Sequence, residues 1–197
     1  MSYDFFPYYE SENLWLVALS KNSNVPEYRK GESGVLGYDN RIKPSFDALY
    51  HLAHSSLNTW TKNQSPYNLG VMCGRKSEKN GLPLYGFDFD AKRMPSRKRP
   101  DIKENLEWYR SWDTWVNFTP SGGFHVLFRC EPRSFEWKQA RYLEGMVRSL
   151  PRTDFHSGLN LVRKENGMLC IPPSVRDGRA YFWLDNAPAK GKPIRIL

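Results

Sequence analysis

Cysteine is scarce in this chain of 197 residues, with Cys73, Cys130 and Cys170 the only three. They are isolated and form no Cys-x-x-Cys pair, which argues against a structural zinc site and against a disulfide framework. Cys130 and Cys170 fall at strand ends and read as small buried residues. Long apolar runs are missing as well. No stretch can span a membrane and none has the make-up of a signal peptide, so the expected compartment is a reducing cytoplasm, with no membrane partner. Internal repeats and low-complexity tracts are absent. Acidic residues are outnumbered, 21 against 29 Lys and Arg, for a formal net charge of +8. That balance favours a polyanionic partner, nucleic acid first.

What is present fits one soluble domain with a genuine core: 40% hydrophobic, 25% charged and an unusually high 15% aromatic. The pattern predicts strands at 14–19 and 68–73. A helix from Pro44-Ser45 carries Phe46, Leu49, Tyr50, Ala53 and Leu57, and another starts at Pro100-Asp101 with Ile102, Leu106 and Tyr109. Thr114–Phe118 and Phe124–Arg129 read as a hairpin, and Ser134 as the cap of a third helix that Pro151 stops. Further strands are expected around Asp154, at Met168–Ile171 and at Ala180–Leu184. Strands interleaved with three helices indicate an α+β domain with a mainly antiparallel sheet.

The segment that carries chemistry is Leu84-Tyr-Gly-Phe-Asp88-Phe-Asp90. Alternate side chains of a strand share a face, so Tyr85, Phe87 and Phe89 point into a core while Asp88 and Asp90 share the other side. Two neighbouring carboxylates repel, and burial makes this worse unless a cation lies between them. A hard divalent ion, Mg²⁺ or Mn²⁺, takes such oxygen ligands together with substrate phosphates. Ser121-Gly-Gly-Phe-His125 follows as a glycine turn into a strand. Its hydroxyl, its Gly122 and Gly123 amides and its histidine are donors for a phosphate. A two-metal site needs a third carboxylate. Asp154 is the candidate, with Glu165 and Asp177 as competitors in loops. Lys92, Arg93, Arg97, Lys98 and Arg99 form a basic cluster after the aspartate strand, suited to triphosphate or template. His51 and His54 have no third ligand nearby and read as ordinary helix residues.

In order, Asn68-Leu-Gly-Val-Met-Cys-Gly74, Tyr85-Gly-Phe-Asp88-Phe-Asp90, Thr119-Pro-Ser-Gly-Gly-Phe-His125, Asp154, Ile171-Pro-Pro-Ser174 and Gly178-Arg-Ala-Tyr181-Phe-Trp183 resemble the archaeo-eukaryotic primase superfamily. The likeness is to its primase-polymerase branch of plasmid, phage and viral replication proteins. It implies an RRM-like catalytic module at 81–185, an N-terminal α/β module at 1–80, and a tail or linker at 186–197. It further implies metal binding and catalysis by Asp88, Asp90 and Asp154. Nucleotide binding falls by the resemblance to Ser121 and His125; by position and charge Gly122, Lys92, Arg163 and Lys164 are added to it, and Arg93, Arg97, Lys98 and Arg99 are the candidates for DNA binding. The stretch from Phe155 to Cys170 is longer than the family commonly has. The implied activity is template-dependent nucleotidyl transfer onto a primer, with single-stranded DNA, a primer and nucleoside triphosphates as partners, and a helicase domain or protein as a further one. Two other readings stay open: a metal-dependent glycosyltransferase using Asp-x-Asp, and a non-catalytic RRM-like nucleic-acid-binding module.

Overall fold

The computed structural model describes residues 5–20, 67–89, 102–131, 159–162 and 167–197. In chain order these form α1 (Phe6–Ser11), β1 (Trp15–Ser20), β2 (Tyr67–Met72), β3 (Gly74–Lys79), β4 (Leu82–Phe89) and α2 (Leu106–Ser111). There follow β5 (Trp115–Phe118), β6 (Phe124–Arg129), β7 (Leu159–Val162), β8 (Met168–Ile171), β9 (Val175–Arg176), β10 (Arg179–Ala180) and β11 (Phe182–Trp183). The expected helices at 44–57 and 134–150, the strand around Asp154 and the residues His51 and His54 lie outside the described residues.

Alternation along β4 sets the layers. Tyr85, Phe87 and Phe89 join Val116, Phe118, Phe124, Val126 and Phe128 in one core, covered by Tyr109 and Trp112 from α2 and the residue after it. Ring pairs close it: Phe89 stacks on Phe124 at 4.9 Å between centroids, and Tyr109 meets Phe118 edge-on at the same distance. The opposite face carries Leu84 from β4 with Trp115 and Leu127. These pack on Leu16, Leu69, Val71, Leu169 and Ile171 of a second sheet and on Phe6 and Tyr9 of α1. A side chain at Gly86 has no room there, since a Cβ would lie 2.2 Å from Leu169 Cδ1. The fold is thus α+β with antiparallel strand pairings, as the periodicity predicts.

The larger sheet runs β11-β5-β6-β4-β3, with β7 added to β4. Along one edge β4 pairs with β6 from Leu84 to Phe89; along the other it pairs first with β3 and then, from Gly86, with β7. The smaller sheet is β1-β2-β8, so a strand from the C-terminal half completes the one begun by the N-terminal strands. The Pro-Pro-Ser motif has a structural task at this seam. Ser174 Oγ accepts from Leu69 N at 2.7 Å and donates to Leu69 O at 3.0 Å, and Tyr9 Oη donates to Pro172 O at 2.7 Å.

Three features depart from the sequence pattern. The aromatic start, ahead of the first strand that the pattern marks, folds as α1, where Pro7 occupies the first turn and Phe6 and Tyr9 share the buried side. β3 is unforeseen because Gly-Arg-Lys-Ser-Glu-Lys is polar. Its signal is the Asn80-Gly81 turn that follows, with φ of 54° and 78°. Segment 186–197, a tail or linker by sequence, is packed. Ile194 is buried, Lys192 O accepts from Trp115 Nε1, and the backbone of Arg129 bonds to Arg195 and Leu197.

Candidate active site

Register, more than sequence distance, assembles the site. Asp88 on β4 stands opposite His125 on β6, and His125 stands opposite Asn117 on β5. Directly opposed residues project from the same face of a sheet. The row therefore runs Asn117, His125, Asp88, with Asn160 of β7 in register beyond Asp88. It crosses the sheet where the cover given by the smaller sheet ends, so Asp88 keeps a third of its side chain exposed while His125 is buried. His125 Nε2 lies 3.4 Å from Asp88 Oδ1.

The far edge of the imidazole is held from behind. Nδ1 lies 3.0 Å from the Cys170 carbonyl and 3.1 Å from Asn117 Nδ2, and Nδ2 itself donates to that carbonyl at 2.7 Å. Turning the Asn117 amide over would set two oxygens against each other, so the carbonyl fixes its orientation. Asn117 is fully buried and, among the described residues, its Oδ1 has no hydrogen-bond partner. An acceptor such as Asp88 or a phosphate requires a hydrogen on Nε2. The ring is thus clamped with that edge turned outward.

The turn Thr119–Gly123 forms the rim. Thr119 N donates to Gly123 O at 2.9 Å, Gly122 N to Thr119 O at 3.0 Å, and Gly123 N to Thr119 Oγ1 at 3.0 Å. Both glycine amides, expected as anion donors, are engaged inside the turn; what it offers a ligand is the hydroxyl of Ser121, 3.1 Å from Thr119 Oγ1. Gly122 has φ of +83° with open space around it, so its requirement for glycine is conformational.

Asp88, Thr119, Ser121, His125, Arg176 and Tyr181 line a pocket of about 100 Å³. Cys170 forms part of its floor, and burial pushes its thiol up to about 11, so it stays protonated at neutral pH. Burial, with Cys170 adding to it, also pushes the Tyr181 phenol up, against the opposing pull of Arg176. Arg176 supplies the cation of this wall.

Of the residues singled out by sequence, the structure brings together Asp88, Ser121 and His125, with Gly122 beside them. Asp90 follows directly on β4 but lies outside the described residues, as do Asp154, Lys92, Arg93, Arg97, Lys98, Arg99, Arg163 and Lys164. Among the described residues no group of three His, Cys, Asp or Glu side chains could hold a metal ion. Asn117, Thr119, Arg176 and Tyr181 join the site unforeseen. An amide inside Trp115-Val-Asn-Phe118 and the Asp177-Gly178 hairpin signal were the readable traces of two of them.

Fold and site together define a class, and comparison with known proteins agrees. The model of the family of bifunctional DNA primase/polymerase N-terminal domains (Prim-Pol) matches residues 15–195, and the chain belongs to this family. Neither a curated protein nor a solved structure matches it. The family describes a DNA primase/polymerase enzyme acting on DNA and nucleotides. Among the described residues no helix is long and apolar enough to cross a membrane.

Proposed function

We propose that the pocket between Asp88, His125 and Arg176 is the nucleotidyl-transfer site of a template-dependent polymerase that makes or extends primers. The observation that carries this is the pairing of Asp88 with His125 in register, at a pocket whose other walls bring hydroxyls and a guanidinium. A carboxylate, a clamped Nε2 edge, the Ser121 hydroxyl and a cation form a set of groups for a triphosphate and a hard cation.

In the reaction the oxygen of a 3′-hydroxyl, or of an initiating nucleotide, bonds to the α-phosphorus of the incoming nucleoside triphosphate. The bond from that phosphorus to the β-bridging oxygen breaks, pyrophosphate leaves, and the hydroxyl proton passes to solvent. His125 holds a phosphate oxygen through Nε2–H, and Ser121 donates its hydroxyl to the same group. Arg176, which lines the same pocket, neutralises charge on the triphosphate. Such work is positioning and charge stabilisation more than covalent chemistry. The Asp88 carboxylate is an oxygen ligand of the kind Mg²⁺ or Mn²⁺ takes. Asp90, two residues further on, and Asp154 would complete the set, and the bound ions would neutralise the triphosphate and lower the pKa of the attacking hydroxyl.

Two features of the sheet argue against a non-catalytic RNA-binding module. The aromatics of β4 and β6 are buried under α2, so they offer no stacking platform, and the open end of the other face carries Asp88. Incubation of the purified chain with primed and unprimed single-stranded template, labelled nucleotides and Mg²⁺ or Mn²⁺ tests the proposal. Divalent-ion-dependent products are expected; absence of product under every initiation condition would overturn it.

A further inference from the structure

We infer that the β9–β10 hairpin is the surface on which this chain holds the phosphodiester backbone of the nucleic-acid strand entering the pocket, with Arg179 as the contacting residue. The inference rests on the functional reading above and adds a polymer-binding element to it.

The hairpin is built for stiffness. Its turn is Asp177-Gly178, with φ of 51° and 73°, the left-handed pair that a two-residue hairpin loop requires. Arg179 pairs with Arg176 and Ala180 with Val175, and Tyr181 N donates to Ser174 O at 2.9 Å to continue the ladder. Ser174 is pinned to Leu69 by two hydrogen bonds, so the base of the hairpin cannot swing freely.

Residues opposed across a ladder, and those two apart along a strand, share a face. Ser174, Arg176, Arg179 and Tyr181 therefore lie on one side. Arg176 and Tyr181 on that side line the pocket, so Arg179 extends the same wall outward, and it is exposed. The wall thus passes from a buried phenol to a half-buried guanidinium and then to an exposed one.

Two like charges directly opposed on a ladder destabilise it. Asp177 in the turn offsets one of them and leaves the hairpin with a net positive charge. Phosphates on each side relieve the repulsion that remains, the triphosphate at Arg176 inside the pocket and a backbone phosphate at Arg179 outside. The excess of 29 basic over 21 acidic residues makes the long-range attraction of the right sign.

The test is binding of a labelled single-stranded oligonucleotide, measured without nucleotide from about 50 to 200 mM salt, where each phosphate contact contributes about −0.7 to the log–log slope. Arg179→Ala and Arg179→Gln should each make the slope shallower by about 0.7. Arg179→Lys should keep it, because a point charge suffices for a phosphate. In primer extension the Ala and Gln variants should raise the KM for primer–template several-fold and leave that for nucleotide unchanged. A wild-type slope in both neutral variants overturns the inference while the functional reading stands. A raised nucleotide KM with an unchanged slope places Arg179 on the triphosphate and overturns it equally. Wild-type chain with no salt-dependent binding of the oligonucleotide would overturn both.

Discussion

Asn117 shows how much a single buried amide can decide. It contributes no group to the pocket, yet it contacts the ring nitrogen of His125 and the carbonyl of Cys170 from behind. Asn117→Ala leaves that carbonyl without its shorter donor and should cost about 1–3 kcal/mol of stability. Its expected signature in catalysis is a rise in nucleotide KM with primer KM unchanged, matching His125→Ala. The two changes together should be little worse than His125→Ala alone, since a clamp has nothing to hold once the ring is gone. Additive losses in that double-mutant cycle would make Asn117 merely structural. Reactivity can be read at the same scale. The thiols of Cys73 and Cys170, pushed up by burial to about 12 and about 11, should resist alkylation in the native chain at neutral pH and react on unfolding. Asp88 and His125 were legible because their residue types are out of place in aromatic strands. Asn117, Arg176 and Tyr181 left at most a local trace, because a part such as that of Asn117 depends on partners 8 and 53 residues away, which local periodicity does not encode.

At the scale of elements, β4 shows what alternation can and cannot tell. Its aromatic face was readable residue by residue and forms the core predicted. Alternation does not show that most of its other face is covered as well: Leu84 is buried, Gly86 lies under Leu169, and only at Asp88 does the cover end. Gly86→Ala should destabilise the chain by about 1–3 kcal/mol through overpacking, visible as a lower unfolding midpoint. An unchanged midpoint would mean that Leu169 moves aside at no cost. α2 is tied to the segment after β11 by Arg110, whose Nε and Nη2 donate to the two carboxylate oxygens of Asp185 at 2.7 and 3.0 Å. That bond holds the Asp185 carboxyl below its usual range. A carboxyl depressed on folding stabilises the fold above its unfolded pKa and loses that contribution as pH falls through the folded value. Asp185→Asn should therefore lower stability at neutral pH and flatten its decline in acid, the effect being small at so exposed a site. Equal acid profiles for the two chains would count against the tie.

Over the whole molecule, the N-terminal segment is bound to the larger sheet by charge as well as by packing. Arg129, buried at the end of β6, donates to the carbonyls of Ser77, Leu82 and Glu12 and lies 3.4 Å from the Glu12 carboxylate, which also pairs with Lys79 at 2.8 Å. Burial pushes the guanidinium down and Glu12 offsets part of that. Removing the carboxylate in Glu12→Ala leaves a buried cation with one fewer partner, a change worth about 3–5 kcal/mol in buried pairs. The family was legible at this scale because its motifs are spread in order along the chain. The three-stranded sheet that unites Trp15–Ser20 with Met168–Ile171 was not, since its strands are read singly as apolar runs with no mark of their partner. The most direct test of the central claim is extension of a labelled primer by wild-type chain and by Asp88→Asn, at matched fold content and with Mn²⁺ present. The account predicts template-directed extension by the wild type and a loss of about a hundredfold or more in the variant. Extension by Asp88→Asn at a near wild-type rate would contradict it.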